Sequence, residues 1–131
     1  MRTETLEYAT SSRSFLDITK DVERVVGESG LVNVFVPHAT AGVALIETGS
    51  GSEEDLSEAI DRLLPRDDRY RHSHGSKGHG ADHVLPAFIS PSVTIPVQDG
   101  RLALGTWQSV VLVDTNRDNP HRKVRVSFLE G

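Results

Sequence analysis

Four histidines fall between positions 72 and 83, as His72-x-His74, His79 and His83, and a fifth, His38, lies well upstream. Imidazole is the usual ligand for zinc and its neighbours, and a catalytic centre uses three protein ligands with one open position. The spacing suggests a metal site if the chain folds His38 back onto the later group. The more ordinary reading is a polar loop, broken by Gly75, Gly78 and Gly80, in which some histidines are simply solvated. Glu47 follows an apolar run. It reads as a general base or metal ligand near His38, or as a surface carboxylate at a strand end. Leu104-Gly-Thr-Trp-Gln108 offers a flat indole face and an amide, or a β-bulge carrying a core tryptophan. Asp114, Asn116 and Arg117 follow another apolar run, where polar groups face a cleft or form an ordinary turn.

These residues need elements to carry them. The run Leu31 to Val36 reads as a strand that delivers His38 at its end. The small turn Ala39-Thr-Ala-Gly42 lets something approach closely, and Val43 to Ile46 is the next strand. Thr3 to Ala9 is rich in threonine and reads as an edge strand; Ser14 to Thr19 is a shorter one. Thr19 then caps an expected helix over Lys20 to Glu28, with Val22, Val25 and Val26 as its apolar stripe. Ser52 caps a second helix, Glu53 to Leu64, which Pro65 ends. Asp82 to Ile89 allows a short third helix. Ser92 to Val97, Arg101 to Leu104, Trp107 to Val113 and Lys123 to Phe128 are strands, and Asp99-Gly100 is a two-residue hairpin signal. The pattern is α+β: one domain over residues 1–131, a mostly antiparallel sheet of about seven strands, and two or three helices.

The chain has 131 residues and a net charge of −5. With 37% hydrophobic and 25% charged residues, a packed core is expected. No basic block points to nucleic acid, and no run approaches the ~20 apolar residues of a membrane span. The absence of cysteine excludes disulfides, thiolate ligands and a cysteine nucleophile. The N-terminus has no apolar signal-peptide segment, which points to a cytoplasmic protein. No P-loop, dinucleotide fingerprint or Gly-x-Ser-x-Gly elbow is present.

Pro37-His-Ala-Thr-Ala-Gly42 with Glu47, Tyr70-x-His72, Ala81-x-His83, Pro91 to Val97, Leu102-x-Leu-Gly-Thr-Trp-Gln108 and Asp114 occur in an order that resembles the YjbQ family of secondary thiamine-phosphate synthase enzymes. The resemblance implies an α+β fold and a homotrimer with clefts near subunit boundaries, which would also cover exposed strand edges. It implies a transferase joining an aminopyrimidine methyl pyrophosphate to a thiazole phosphate, so that the partner is a small phosphorylated substrate. It further implies a divalent metal, zinc or magnesium, on His38, His72 and His83, and a catalytic set of His38, Glu47 and His83. Thr40, Gly42, Trp107 and Gln108 would line the substrate, with Trp107 stacked on the pyrimidine. Where the family carries a basic residue after its helical histidine, this chain has Leu85 and Pro86, so Arg101, Arg117 or Arg122 would have to meet phosphate. A metal-dependent hydrolase and a non-catalytic binding trimer are the rival readings.

Overall fold

The structure, a computed structural model, describes residues 1–11 and 14–131. Its elements are β1 (Arg2–Ala9), β2 (Ser14–Asp17), α1 (Thr19–Glu23), β3 (Gly30–Phe35), β4 (Ala41–Ile46), α2 (Ser52–Leu63), α3 (His79–Val84), β5 (Ser92–Gln98), β6 (Arg101–Leu102), β7 (Ser109–Asp114) and β8 (His121–Glu130). A single 3-10 turn, Leu85–Ala87, follows α3.

The strands form two antiparallel sheets rather than one. Five strands run in the order β1-β8-β3-β5-β6, and three in the order β2-β7-β4. β8 alternates exposed and buried side chains, with Arg122, Val124, Val126 and Phe128 turned inward. That alternation places Val124, Val126 and Phe128 against Val32, Val34, Ile95 and Val97 of the same sheet and against Val110 and Leu112 of the smaller one. The other face of β7 is also buried: Val111 and Val113 pack with Ile60 and Leu64 of the α2 region and with Ala81 and Leu85. The layers are therefore five-stranded sheet, three-stranded sheet, then α2 and α3, while α1 sends Val22 into the core between the sheets. β7 is an unbroken apolar run because both its faces are covered, and each such valine contributes about 1.5–3 kcal/mol on burial.

β1 lies at a sheet edge, as its threonine-rich sequence leads one to expect. Asp99 and Gly100 take φ values of 54° and 74° in the turn joining β5 to β6, the hairpin geometry that Asp-Gly favours. The helices depart from expectation at their starts. α1 covers only Thr19–Glu23, and Thr19 does not cap it. The Thr19 hydroxyl donates to Asp17 (2.6 Å) and accepts from the Val110 amide (2.8 Å), so β7 has taken the group. Gly51, with φ 93°, rather than Ser52 precedes α2, and Glu53 reaches back to the Gly49 amide at 3.1 Å. α3 begins at His79, three residues before the expected start at Asp82. The expected Trp107 strand begins only at Ser109, and Trp107 is 73% exposed, so it is not a core residue. No helix among the described residues is long and apolar enough to cross a membrane.

Candidate metal centre

α3 carries His79 and His83 four residues apart, hence on one face of the helix. The preceding loop brings His72 and His74 against them. One ring nitrogen of each of the four lies within 4.8 Å of the others. Ring centroids are 4.0 Å apart for His72 and His83, 4.1 Å for His72 and His74, and 4.6 Å for His74 and His79. His79 is buried, His83 half-buried, and His72 and His74 are exposed. The loop comes this close because position 80 has no side chain: a Cβ on Gly80 would stand 2.5 Å from the Tyr70 Cβ and 2.6 Å from the His72 carbonyl oxygen.

The helix is clamped from below. Asp82, 1% exposed, takes Arg66 through both oxygens (2.5 and 3.1 Å), the Thr115 hydroxyl (2.6 Å) and the Asn116 amide (3.1 Å). Asp82 is thus fully engaged in tying α3 to the end of β7. His79 Nδ1 lies 2.7 Å from Asp118 Oδ2, and His79 Nε2 lies 2.9 Å from His83 Nε2. Desolvation, then the neighbouring imidazoles, holds the His72 and His83 pKa values below the ordinary one, so both rings favour the neutral form that ligates metals. Beside the rings lies a cleft of about 290 Å³, lined by Asp67, Asp68, Ser73, Ser76 and Lys77 among others.

His38 is not part of this group. Its Nε2 accepts the Lys123 amide at 2.9 Å, and the charges that act on it are those of Arg122, Asp114 and Lys123. Of the expected set His38, His72 and His83, the chain itself brings together His72 and His83, with His74 and His79 beside them. The other expected site residues divide between the two ends of β4. His38 and Thr40 precede the strand, where Ala41 pairs with Asp114; Glu47 follows it, where Ile46 pairs with Ser109, next to Trp107 and Gln108. A strand of this length spans about 17–20 Å, so one chain does not assemble His38, Glu47 and Trp107 in a single pocket.

Several of these groups are already occupied. The Thr40 hydroxyl accepts from Arg122 Nη2 at 2.8 Å. Gly42 makes room for the protein itself: a Cβ there would stand 2.1 Å from the Ile89 carbonyl oxygen. Gln108 Oε1 accepts the Gly105 amide at 2.8 Å. Arg122 is 1% exposed and forms a two-pronged ion pair with Asp114 (2.7 and 2.9 Å), so it is not available to a phosphate. Arg101 and Arg117 are exposed. Sequence reasoning left His74 and His79 without a role and missed Asp118. The available signal was the His79-x-x-x-His83 spacing, masked by the glycines on either side of His79.

A family model described as UPF0047 protein YjbQ-like matches residues 4–131. The chain belongs to the YjbQ/UPF0047 family. It is 62% identical over 133 residues to a UPF0047 protein of Mycobacterium tuberculosis, covering 100% of both chains. Among solved structures it is similar to a hypothetical protein from Aeropyrum pernix, with TM-score 0.89 and 34% identity over 100% of both chains. It is also similar to a YbjQ-like protein of unknown function from Sulfolobus solfataricus, with TM-score 0.88 and 25% identity over 95% of this chain and 94% of that one. These likenesses agree with the α+β architecture of mostly antiparallel strands and three helices.

Proposed function

We propose that this YjbQ-family chain is a metal-dependent enzyme acting on a small phosphorylated metabolite, with thiamine-phosphate synthesis as the first reaction to test. The observation that carries the reading is the convergence of His72, His74, His79 and His83 within 4.8 Å beside a polar cleft. The donor set fits a transition ion. Four imidazole nitrogens suit zinc, nickel or copper, whereas magnesium demands oxygen ligands, so of the two expected metals zinc is favoured. When bound, such an ion supplies positive charge to a leaving phosphate or pyrophosphate oxygen.

The chain's own residues do the rest. Lys77 and Ser73 bind and orient phosphate oxygens at the cleft wall, while Asp67 and Asp68 disfavour a second anionic group there. Three of the four rings suffice to hold an ion with an open position, and the exposed His72 and His74 are the two best placed to yield. Support for a hydrolytic reading comes from the same cleft: its lining is polar, and the exposed Trp107 lies at the far end of the three-stranded sheet. That leaves water more easily admitted than a pyrimidine stacked.

The deciding experiment is growth rescue of a thiamine-requiring strain, with and without the His83→Ala change, run alongside turnover of generic phosphoesters by zinc-loaded and chelated protein. Rescue that needs His83, without phosphoesterase activity, supports the synthase. Phosphoester turnover without rescue supports the hydrolase. Metal binding with neither activity leaves a binding protein and overturns the enzymatic reading. A cytoplasmic homotrimer, in which a neighbour could bring Glu47 or Trp107 to this cleft, belongs to the same proposal. Sedimentation showing only monomer at micromolar concentration would remove it.

A further inference from the structure

We propose, as a refinement resting on the metal reading above, that Asp118 is a positioning residue that fixes His79 as its Nδ1–H tautomer and so aims the Nε2 lone pair at the other three imidazoles. The geometry is specific. Asp118 Oδ2 lies 2.7 Å from His79 Nδ1, while His79 Nε2 faces His83 Nε2 at 2.9 Å. A carboxylate that also accepts the Ser76 amide and hydroxyl, both at 3.1 Å, has only lone pairs to present. The proton in the His79 contact must therefore sit on Nδ1. His83 Nε2–H is then the donor toward His79.

Among the described residues, Asn116 is the one competing group at Nδ1, 3.2 Å away through its amide nitrogen. Its orientation is set elsewhere. Asn116 Oδ1 accepts the Asp118 and Asn119 amides (2.9 and 3.0 Å), which turns Nδ2 inward, where it donates to Asp82 at 3.1 Å. Asn116 is itself anchored by its amide to Asp114 Oδ1 at 2.9 Å. Asp118 thus reaches His79 from a turn that two buried carboxylates hold in place. A carboxylate on the remote nitrogen of a ligating histidine fixes tautomer and ring orientation and raises ligand basicity; losing it typically weakens metal binding about 10- to 100-fold.

Two readouts on the full-length chain test this. Long-range nitrogen–proton correlation spectra of chelator-treated protein should show His79 protonated at Nδ1 and His83 at Nε2. A zinc competition titration should show Asp118→Asn weakening zinc about 10- to 100-fold. Ser76→Ala removes one donor to Asp118 and leaves the His79 contact, and should stay within about threefold. Observing His79 as the Nε2–H tautomer overturns the proposal, as does equal weakening by both variants, which would mean Asp118 merely braces the loop. Wild-type protein that binds no zinc sinks the metal reading itself; the tautomer spectra, read without metal, still decide the role of Asp118.

Discussion

His79 and His83 sit one turn apart on α3 with their Nε2 atoms 2.9 Å from each other, closer than two imidazoles stand without a proton or an ion between them. If the four imidazoles hold zinc as proposed, replacing either ring removes a ligand rather than a supporting group. His83→Ala should therefore weaken zinc by more than about 100-fold, beyond the range seen when an outer partner is lost. Elemental analysis of tag-free protein, with a competition titration, checks this. Unchanged zinc content in the variant would mean the ion binds elsewhere.

Gly80 decides whether the loop reaches the helix. A methyl group there would meet Tyr70 at 2.5 Å and the His72 carbonyl at 2.6 Å, so Gly80→Ala must push the 70–72 segment outward. The expected result is a stability loss of about 1–3 kcal/mol, as for overpacked sites, together with weaker metal binding. Urea unfolding and the same titration measure the two effects. Wild-type affinity in a folded Gly80→Ala protein would show that His72 is dispensable as a ligand.

Arg122 and Asp114 are 1% and 0% exposed and bonded to each other twice; Thr40 accepts from Arg122, and Thr10 and the Asn116 amide donate to Asp114. Arg122→Met leaves the Asp114 carboxylate buried without its cation. Breaking such a pair costs about 3–5 kcal/mol, which urea denaturation should register. A loss below about 1 kcal/mol would mean that water reaches Asp114 in the variant.

His38 makes stability depend on pH. Burial first, then the Arg122 charge, lowers its pKa in the folded chain. The Lys123 amide pointing at Nε2 also requires a lone pair there. The unfolded value is about 6.5, so the neutral ring's contribution is complete above that pH and is lost as pH falls through the lower folded pKa. Between pH 7.5 and pH 5, wild-type protein should therefore lose more unfolding free energy than His38→Gln; the other histidines are common to both and cancel. Parallel curves would show that His38 titrates normally.

Trp107 contributes little to the fold of the chain. At 73% exposure, Trp107→Ala should alter unfolding free energy by less than about 0.5 kcal/mol. A larger loss that grows with protein concentration would identify Trp107 as covered by a second copy.

Local periodicity was enough to locate most of the strands in the sequence. The alternation of β8, the uninterrupted run of β7, the edge character of β1 and the Asp99-Gly100 turn all follow from which side chains can be buried or can adopt a positive φ. Helix starts were harder to read. Gly78 and Gly80 look like breakers around His79, yet one precedes α3 and the other is needed for the close approach of Tyr70 and His72, a contact that depends on how the loop turns back onto the helix.

By itself, the sequence determined an α+β domain without cysteine chemistry, family membership through its ordered motifs, and the presence of enough imidazoles for a metal. Only the tertiary structure decided which imidazoles meet. His38 goes to Lys123 because β3 ends beside β8, whereas His79 and His83 acquire His72 and His74 as neighbours through a glycine contact, and Asp118 through a turn beyond β7. Residue type and spacing record what a side chain can do. Its partners depend on how the two sheets and α3 pack, a property distributed over the whole core and carried by no single motif.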